Sequence, residues 1–72
     1  MNNLNVAKIQ LNGDPYEVIN GTNLNELLNK LKLQTNKIAI EVNGEIIEKS
    51  KYPNLILRRD DKVEIVHFIG GG

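Results

Sequence analysis

The sequence predicts an α+β fold, in which one helix packs across one face of a mixed sheet of four to five strands. Three observations predict it. Several short segments alternate apolar and polar residues, as half-buried strands do. One segment instead carries leucines at helical spacing. That helix stands between the second and third strands, which is typical of a two-layer α+β arrangement. The 72 residues are expected to form a single domain, residues 1–72.

The first two strands are predicted to form a hairpin. Residues 7–11 alternate apolar and polar, and residues 1–6 before them are expected to be an N-terminal extension. Asn12 and Gly13 both accept positive φ, which favours a two-residue turn. Residues 16–19 alternate again and are expected to be the second strand.

A helix is predicted after this hairpin. Thr22 or Asn23 can cap it, and Glu26 lies three residues after Asn23, as in a capping box. Four leucines then form one apolar stripe, which is expected to face the core: Leu24, Leu27, Leu28 and Leu31.

The second half of the chain returns to strands. Residues 38–42 are predicted to be the third strand and residues 45–47 a short return strand. Tyr52 and Pro53 are expected to break regular structure, because proline lacks an N–H and disfavours helix in the residue before it. Residues 62–69 are predicted to be the last strand, parallel to the first and in the middle of the sheet.

The last strand has two different faces. Val63, Ile65 and His67 share one face, and Glu64, Val66 and Phe68 share the other. If the first face meets the helix, Val66 and Phe68 form an exposed patch that could dock a partner. The alternative is that both side chains pack locally under a loop.

Composition excludes several classes of function. The chain has no cysteine, which excludes disulfides, thiolate metal sites and cysteine nucleophiles. Its formal net charge is zero, so nothing favours binding to nucleic acid or to an acidic membrane. No apolar run approaches a membrane span, and the first residues do not resemble a signal peptide. A cytoplasmic location is expected.

Candidate catalytic residues are few. His67 is the only histidine and has no local partner for a metal site or a nucleophile triad. Asp60 and Asp61 could act as a catalytic carboxylate pair, but adjacent acids beside two arginines are more typical of a solvated turn. The chain is therefore expected not to be an enzyme.

The final residues are the strongest functional signal. An apolar strand leads directly into Gly70, Gly71 and Gly72, which cannot hold a strand or pack a core. These three residues, called the glycine tail below, are expected to be flexible and to present the terminal carboxylate of Gly72. Fully extended, three or four residues reach roughly 10–14 Å, enough to enter a buried site of a partner.

Four segments together resemble the ThiS family of sulfur carrier proteins: KIQLNG at residues 8–13, GTNLNELL at residues 21–28, IEVNGEII at residues 40–47, and VEIVHFIGGG at residues 63–72. The resemblance covers about residues 7–72 and implies a ubiquitin-like β-grasp fold. One departure is Asp60, where family members often have glycine. Aspartate tolerates left-handed backbone better than most residues, so the turn is expected to survive.

The resemblance also implies a chemistry. A ThiF-like adenylyltransferase would use ATP to adenylate Gly72, and a sulfur donor, the cysteine desulfurase system, would convert the adenylate to a thiocarboxylate. ThiG thiazole synthase would then take the sulfur for the thiazole of thiamine. Gly70 and Gly71 would be presented to the partner, and Val66, Phe68 and Ile69 would bind it. The chain itself would bind no cofactor and no metal.

Three other functions fit the same residues. The small subunit of molybdopterin synthase is expected to share the fold, the Gly-Gly end and the thiocarboxylate. A protein modifier joined to lysines would also use a glycine end. A non-catalytic ubiquitin-like binding module would use the Val66 and Phe68 face and would not need the glycine tail.

Overall fold

The computed structural model describes residues 5–68, and within them a five-stranded sheet is packed on one helix, as predicted. The elements are β1 Val6–Leu11, β2 Asp14–Ile19, α1 Leu24–Lys30, β3 Ile38–Val42, β4 Glu45–Ile46 and β5 Lys62–His67. Two 3₁₀ helices, Thr35–Lys37 and Lys49–Asn54, lie before β3 and after β4.

The sheet has the strand order β2-β1-β5-β3-β4. β5 lies in the middle, parallel to β1 and antiparallel to β3. Both the central position and the parallel pairing agree with the sequence prediction. A mixed sheet built this way around one helix is the ubiquitin-like β-grasp fold.

The core lies between α1 and the inner face of the sheet. Alternate residues of the strands point into it, and the leucine stripe of α1 meets them. The buried side chains are Ala7, Ile9, Val18, Leu24, Leu27, Leu28, Ile38, Ile40, Val42, Tyr52, Leu57, Val63 and Ile65. Leu31, the last leucine of the predicted stripe, is half-buried against this cluster.

Both ends of α1 are capped. Asn23 accepts from the Glu26 N–H at 2.8 Å, and the Glu26 carboxylate accepts from the Asn23 N–H at 2.9 Å, so the predicted capping box is present. At the other end Lys32 has φ 60°, and the Leu33 N–H donates to the Leu28 carbonyl. This is a Schellman motif with lysine where glycine is usual.

The two hairpin turns, between β1 and β2 and between β3 and β4, have the expected backbone conformation. Asn12 and Gly13 have φ 50° and 87°, and Asn43 and Gly44 have φ 53° and 85°. Positive φ at both central residues is the type I′ geometry that suits a tight hairpin. Asp60 has φ 70°, so aspartate does adopt the left-handed conformation at this position.

The region around Tyr52 and Pro53 differs from the prediction. These residues lie inside the 3₁₀ helix Lys49–Asn54, so the predicted break in regular structure is wrong. Proline fits there because the turn bonds at the two ends of this helix do not need its missing N–H: the Lys51 N–H donates to the Glu48 carbonyl, and the Leu55 N–H donates to the Tyr52 carbonyl.

Element ends also shift by small amounts. β1 begins at Val6, and the Asn5 carbonyl accepts from the Asn20 N–H, so the ladder reaches into the expected extension. β5 ends at His67, whereas the predicted strand ran to Ile69, which lies outside the described residues. In the described part of the chain, no helix has the length and apolar character that a membrane crossing requires.

Candidate functional site

The candidate site is the end of β5, because the chain runs from it directly into the glycine tail. β5 is held on both sides near its start. The Asn12 N–H donates to the Val63 carbonyl at 2.9 Å, and the Asn43 N–H donates to the Lys62 carbonyl at 2.8 Å. Val63 and Ile65 also point into the core. The strand that leads to the tail is therefore anchored by backbone bonds and by packing.

Two asparagine side chains add further bonds to β5. The Asn12 Oδ1 accepts from the Ile65 N–H at 2.7 Å, and the Asn43 Oδ1 accepts from the Lys62 N–H at 3.0 Å. Each asparagine also supplies the first positive φ of its hairpin turn. Sequence reasoning identified both residues as turn formers and missed their bonds to β5. The only sequence signal was the Asn-Gly pair, which predicts the turn and not the direction of the side chain.

Asp60 and Asp61 do not form a catalytic pair in this geometry. The Asp61 carboxylate accepts from the Arg58 N–H at 2.8 Å and from the Asn43 Nδ2 at 3.0 Å, so it holds the turn before β5. The Asp60 carboxylate lies 3.9 Å from the Arg59 guanidinium, and both side chains are largely exposed. The structure thus agrees with the interpretation of these residues as a turn.

Val66 and Phe68 lie on the outer face of the sheet and are exposed, with 56% and 63% of their surface accessible. Local packing under a loop, the alternative left open by the sequence, is therefore not observed. The Phe68 N–H donates to the Lys37 carbonyl at 2.9 Å, which continues the β3–β5 ladder by one residue. An exposed aromatic side chain on a fixed backbone is suited to fill an apolar pocket of a partner.

The remaining predicted site residues are Ile69, Gly70, Gly71 and Gly72, and they lie outside the described residues. His67 is exposed, although it shares the face of Val63 and Ile65. Within residues 5–68, no group of three or more His, Cys, Asp or Glu side chains could hold a metal ion.

A shallow groove of about 370 Å³ lies between β2 and α1. Val18 and Leu27 contribute apolar surface to it, and Glu26 and Lys30 contribute charges. None of the predicted site residues lines this groove, and its opposite charges favour no single class of small ligand.

Comparisons of this chain with known proteins agree on one family. The ThiS family model matches residues 9–72. The sulfur carrier protein ThiS of Bacillus subtilis is 38% identical over 89% of this chain and 98% of its own length. The crystal structure of the thiamine biosynthesis protein ThiS from Geobacter metallireducens superposes with a TM-score of 0.79 at 34% identity, covering 90% of this chain and 99% of that chain.

A longer relative is also similar. The thiazole synthase of Magnetococcus marinus is 43% identical over 90% of this chain, but the match spans 20% of that enzyme, so this chain corresponds to about a fifth of its length. The structural match agrees with the observed fold, and the family model spans the segments identified in the sequence from residue 9 onward. The chain belongs to the ThiS family.

Proposed function

We propose that this chain is a sulfur carrier for thiamine (thiazole) biosynthesis. A ThiF-like adenylyltransferase uses ATP to join the carboxylate of Gly72 to AMP, with release of pyrophosphate. The persulfide of a cysteine desulfurase system then displaces AMP to give an acyl disulfide, and a thiol reductant cleaves its S–S bond to leave the thiocarboxylate. Free sulfide, as used in the test below, displaces AMP and gives the same thiocarboxylate directly. ThiG thiazole synthase receives the sulfur from this group. The reaction takes place in the cytoplasm, where ATP is available.

The observation that carries the proposal is the position of β5. The strand lies in the centre of the sheet, its start is bonded on both sides, and it ends at His67, five residues before Gly72 in the sequence. Val66 and Phe68 are exposed at this end. A fixed root with an adjacent apolar patch lets a partner bind the domain and receive the glycine tail in one encounter, since a rigid surface loses little entropy on binding.

The longer relative supports the choice of acceptor. A stretch similar to this chain lies within the thiazole synthase of Magnetococcus marinus. If carrier and synthase act on the same sulfur atom, joining them in one chain raises the effective concentration of one for the other. The choice of thiazole synthase as the partner of this separate chain rests on that relation.

The direct test is the intact mass of the protein after incubation with ATP, a sulfide source and the adenylyltransferase. We expect a mass gain equal to the replacement of one oxygen by sulfur, located at Gly72 by fragmentation. An unchanged mass, with a folded chain and an adenylyltransferase that is active on another carrier, contradicts the proposal. Transfer of this sulfur atom to thiazole synthase, and not to the large subunit of molybdopterin synthase, then identifies the acceptor.

The exposed patch gives the binding module a specific observation in its favour, so it is kept as the second candidate. The two are separated by deleting Gly71 and Gly72. A carrier loses sulfur transfer completely, because the reacting carboxylate then lies two residues short of the partner's site. A binding module keeps its affinity for the partner and shows no thiocarboxylate in either form.

A further inference from the structure

Among residues 5–68, the last part of β5 has one strand edge without a partner strand. The parallel pairing of β1 with β5 covers two positions only, Gln10 with Lys62 and Leu11 with Val63. β1 then turns away at Asn12 and Gly13. The pairing of β3 with β5, in contrast, continues to Ile38 with His67. In the described part of the chain, one side of β5 is therefore paired over its whole length, and the other side is paired at its start.

The direction of each peptide group follows from the ladder. In a strand, the N–H and C=O of one residue point to the same side, and successive residues alternate. Phe68 donates to Lys37, and Lys62 accepts from Asn43, so the even-numbered residues of β5 face β3. Val63 and Ile65 face the other side, where both bond to Asn12. His67 therefore faces that side too.

Beyond Ile65, no residue among 5–68 pairs with this side of β5. The Asn12 side chain accepts from the Ile65 N–H, and among the residues that the structure describes this is the last hydrogen bond on the β1 side of the strand. Among residues 5–68, no hydrogen bond occupies the Ile65 carbonyl, the His67 N–H or the His67 carbonyl on that side. These three groups form a row of acceptor, donor and acceptor along the part of the β5 edge that β1 does not cover. We call it the open lane.

We infer that the open lane receives an extended segment of thiazole synthase, and that this segment adds to the sheet as a strand beside His67. Unpaired N–H and C=O groups along a strand edge are a template for another extended backbone. The inference rests on the proposed function, in which thiazole synthase receives the sulfur, and the choice of this enzyme follows from the thiazole synthase that contains a stretch similar to this chain.

The patch on the outer face indicates the chemistry of that segment. A side chain of the added strand on the outer face would lie about 5 Å from its neighbour on β5, at Val66 or Phe68. Both are apolar and exposed. An apolar residue at this position of the partner strand would cover them, so the segment combines backbone bonding with an apolar contact.

The first experiment follows backbone amide exchange by NMR. In the free protein we expect the His67 amide to exchange rapidly, and those of Val66 and Phe68, which face β3, to be protected. Addition of thiazole synthase should then protect His67. Binding with no protection at His67 overturns the added strand and leaves the carrier function in place. Failure of the wild-type chain to bind thiazole synthase overturns the inference and also thiazole synthase as the acceptor.

The second experiment removes one donor. His67→Pro removes the N–H that faces the open lane and leaves every bond of the β3–β5 ladder in place. His67→Ala changes the side chain and keeps the N–H. We expect His67→Pro to weaken binding about tenfold or more, and His67→Ala to bind like the wild type. A synthetic chain with N-methyl His67 makes the same change without the proline ring. Equal affinity of the N-methyl chain and the wild type overturns the inference.

Discussion

At the scale of single residues, Lys32 is in an unfavourable conformation. It has φ 60° at the end of α1, where the Schellman motif usually has glycine. The left-handed conformation costs an L-residue with a Cβ about 1–2 kcal/mol, and glycine avoids this but loses more entropy on folding. We expect Lys32→Gly to raise the free energy of unfolding by about 1 kcal/mol in urea titration.

Lys30 gives a matched control for this change. It is also an exposed lysine, but it lies in the last turn of α1 with helical backbone. Lys30→Gly should lower the free energy of unfolding by roughly 0.5–1 kcal/mol, because glycine disfavours helix. If both variants are destabilised equally, the backbone of Lys32 is not strained in the folded protein.

Burial of Tyr52 makes the free energy of unfolding depend on pH. Its side chain is buried, and burial raises the pKa of the hydroxyl above the ordinary value of 10.0. The folded state therefore holds the proton more tightly than the unfolded state. The stabilisation that the protonated Tyr52 hydroxyl contributes is complete below its pKa in the unfolded state. It is lost as pH rises through its pKa in the folded state.

We therefore expect the free energy of unfolding to fall above about pH 10, and Tyr52→Phe to show a smaller fall. The measurement is urea unfolding of both chains between neutral and alkaline pH, and the difference between them removes the contribution of the lysines. Parallel curves for the two chains would contradict the assignment to Tyr52.

At the scale of elements, the register of β5 depends on Asn12. Its Oδ1 bonds the Ile65 N–H across 53 residues of sequence, at a part-buried position where water replaces the bond poorly. Asn12→Gly keeps the positive φ of the turn and removes this acceptor. We expect it to lower the free energy of unfolding by about 1–2 kcal/mol, with faster exchange of the Ile65 amide.

Asn12→Asp is the control, because it keeps an oxygen at the same place. It should retain protection of the Ile65 amide. A protected Ile65 amide in Asn12→Gly as well would mean that the side-chain bond does not hold the strand.

The elements that could be predicted from the sequence are those whose signal is local. Local patterns predicted the strands, the leucine stripe of α1, its capping box at Asn23 and the two Asn-Gly turns, since each depends on neighbours within a few residues. The central position of β5 also followed, from the order of strands around one helix. Burial of Val63 and Ile65 on one face, with Val66 exposed on the other, agrees with the alternation in the sequence.

The missed features depend on contacts distant in sequence. The 3₁₀ helix at Tyr52 packs against α1, and this contact is not encoded in the local pattern, where proline is usually a signal for a break. The bonds of Asn12 and Asn43 to β5 depend on where the strand lies after folding. The open lane depends on how far β1 accompanies β5, which is a property of the sheet and of no single segment.

At the scale of the whole molecule, the exposed large apolar side chains are not grouped in one place. Val6 and Ile19 are cross-strand neighbours at the start of β1, whereas Val66 and Phe68 lie at the end of β5. Of these two pairs, the second adjoins the route into the glycine tail. If the carrier function is correct, partner binding should depend on this pair and not on apolar exposure in general.

Phe68→Ala tests this dependence, with Ile19→Ala as the matched control, since both side chains are 63% exposed. Neither variant should change the free energy of unfolding by more than about 0.5 kcal/mol, because neither side chain is buried. We expect Phe68→Ala to weaken binding to the adenylyltransferase and to thiazole synthase by roughly 1–3 kcal/mol, as loss of an aromatic anchor does, and Ile19→Ala to leave binding unchanged. Isothermal titration calorimetry measures both affinities, and thermal unfolding followed by circular dichroism establishes that the variants are folded. Equal loss of affinity in the two variants would place the partner elsewhere on the sheet, and unfolding of Phe68→Ala would show that the side chain supports the fold.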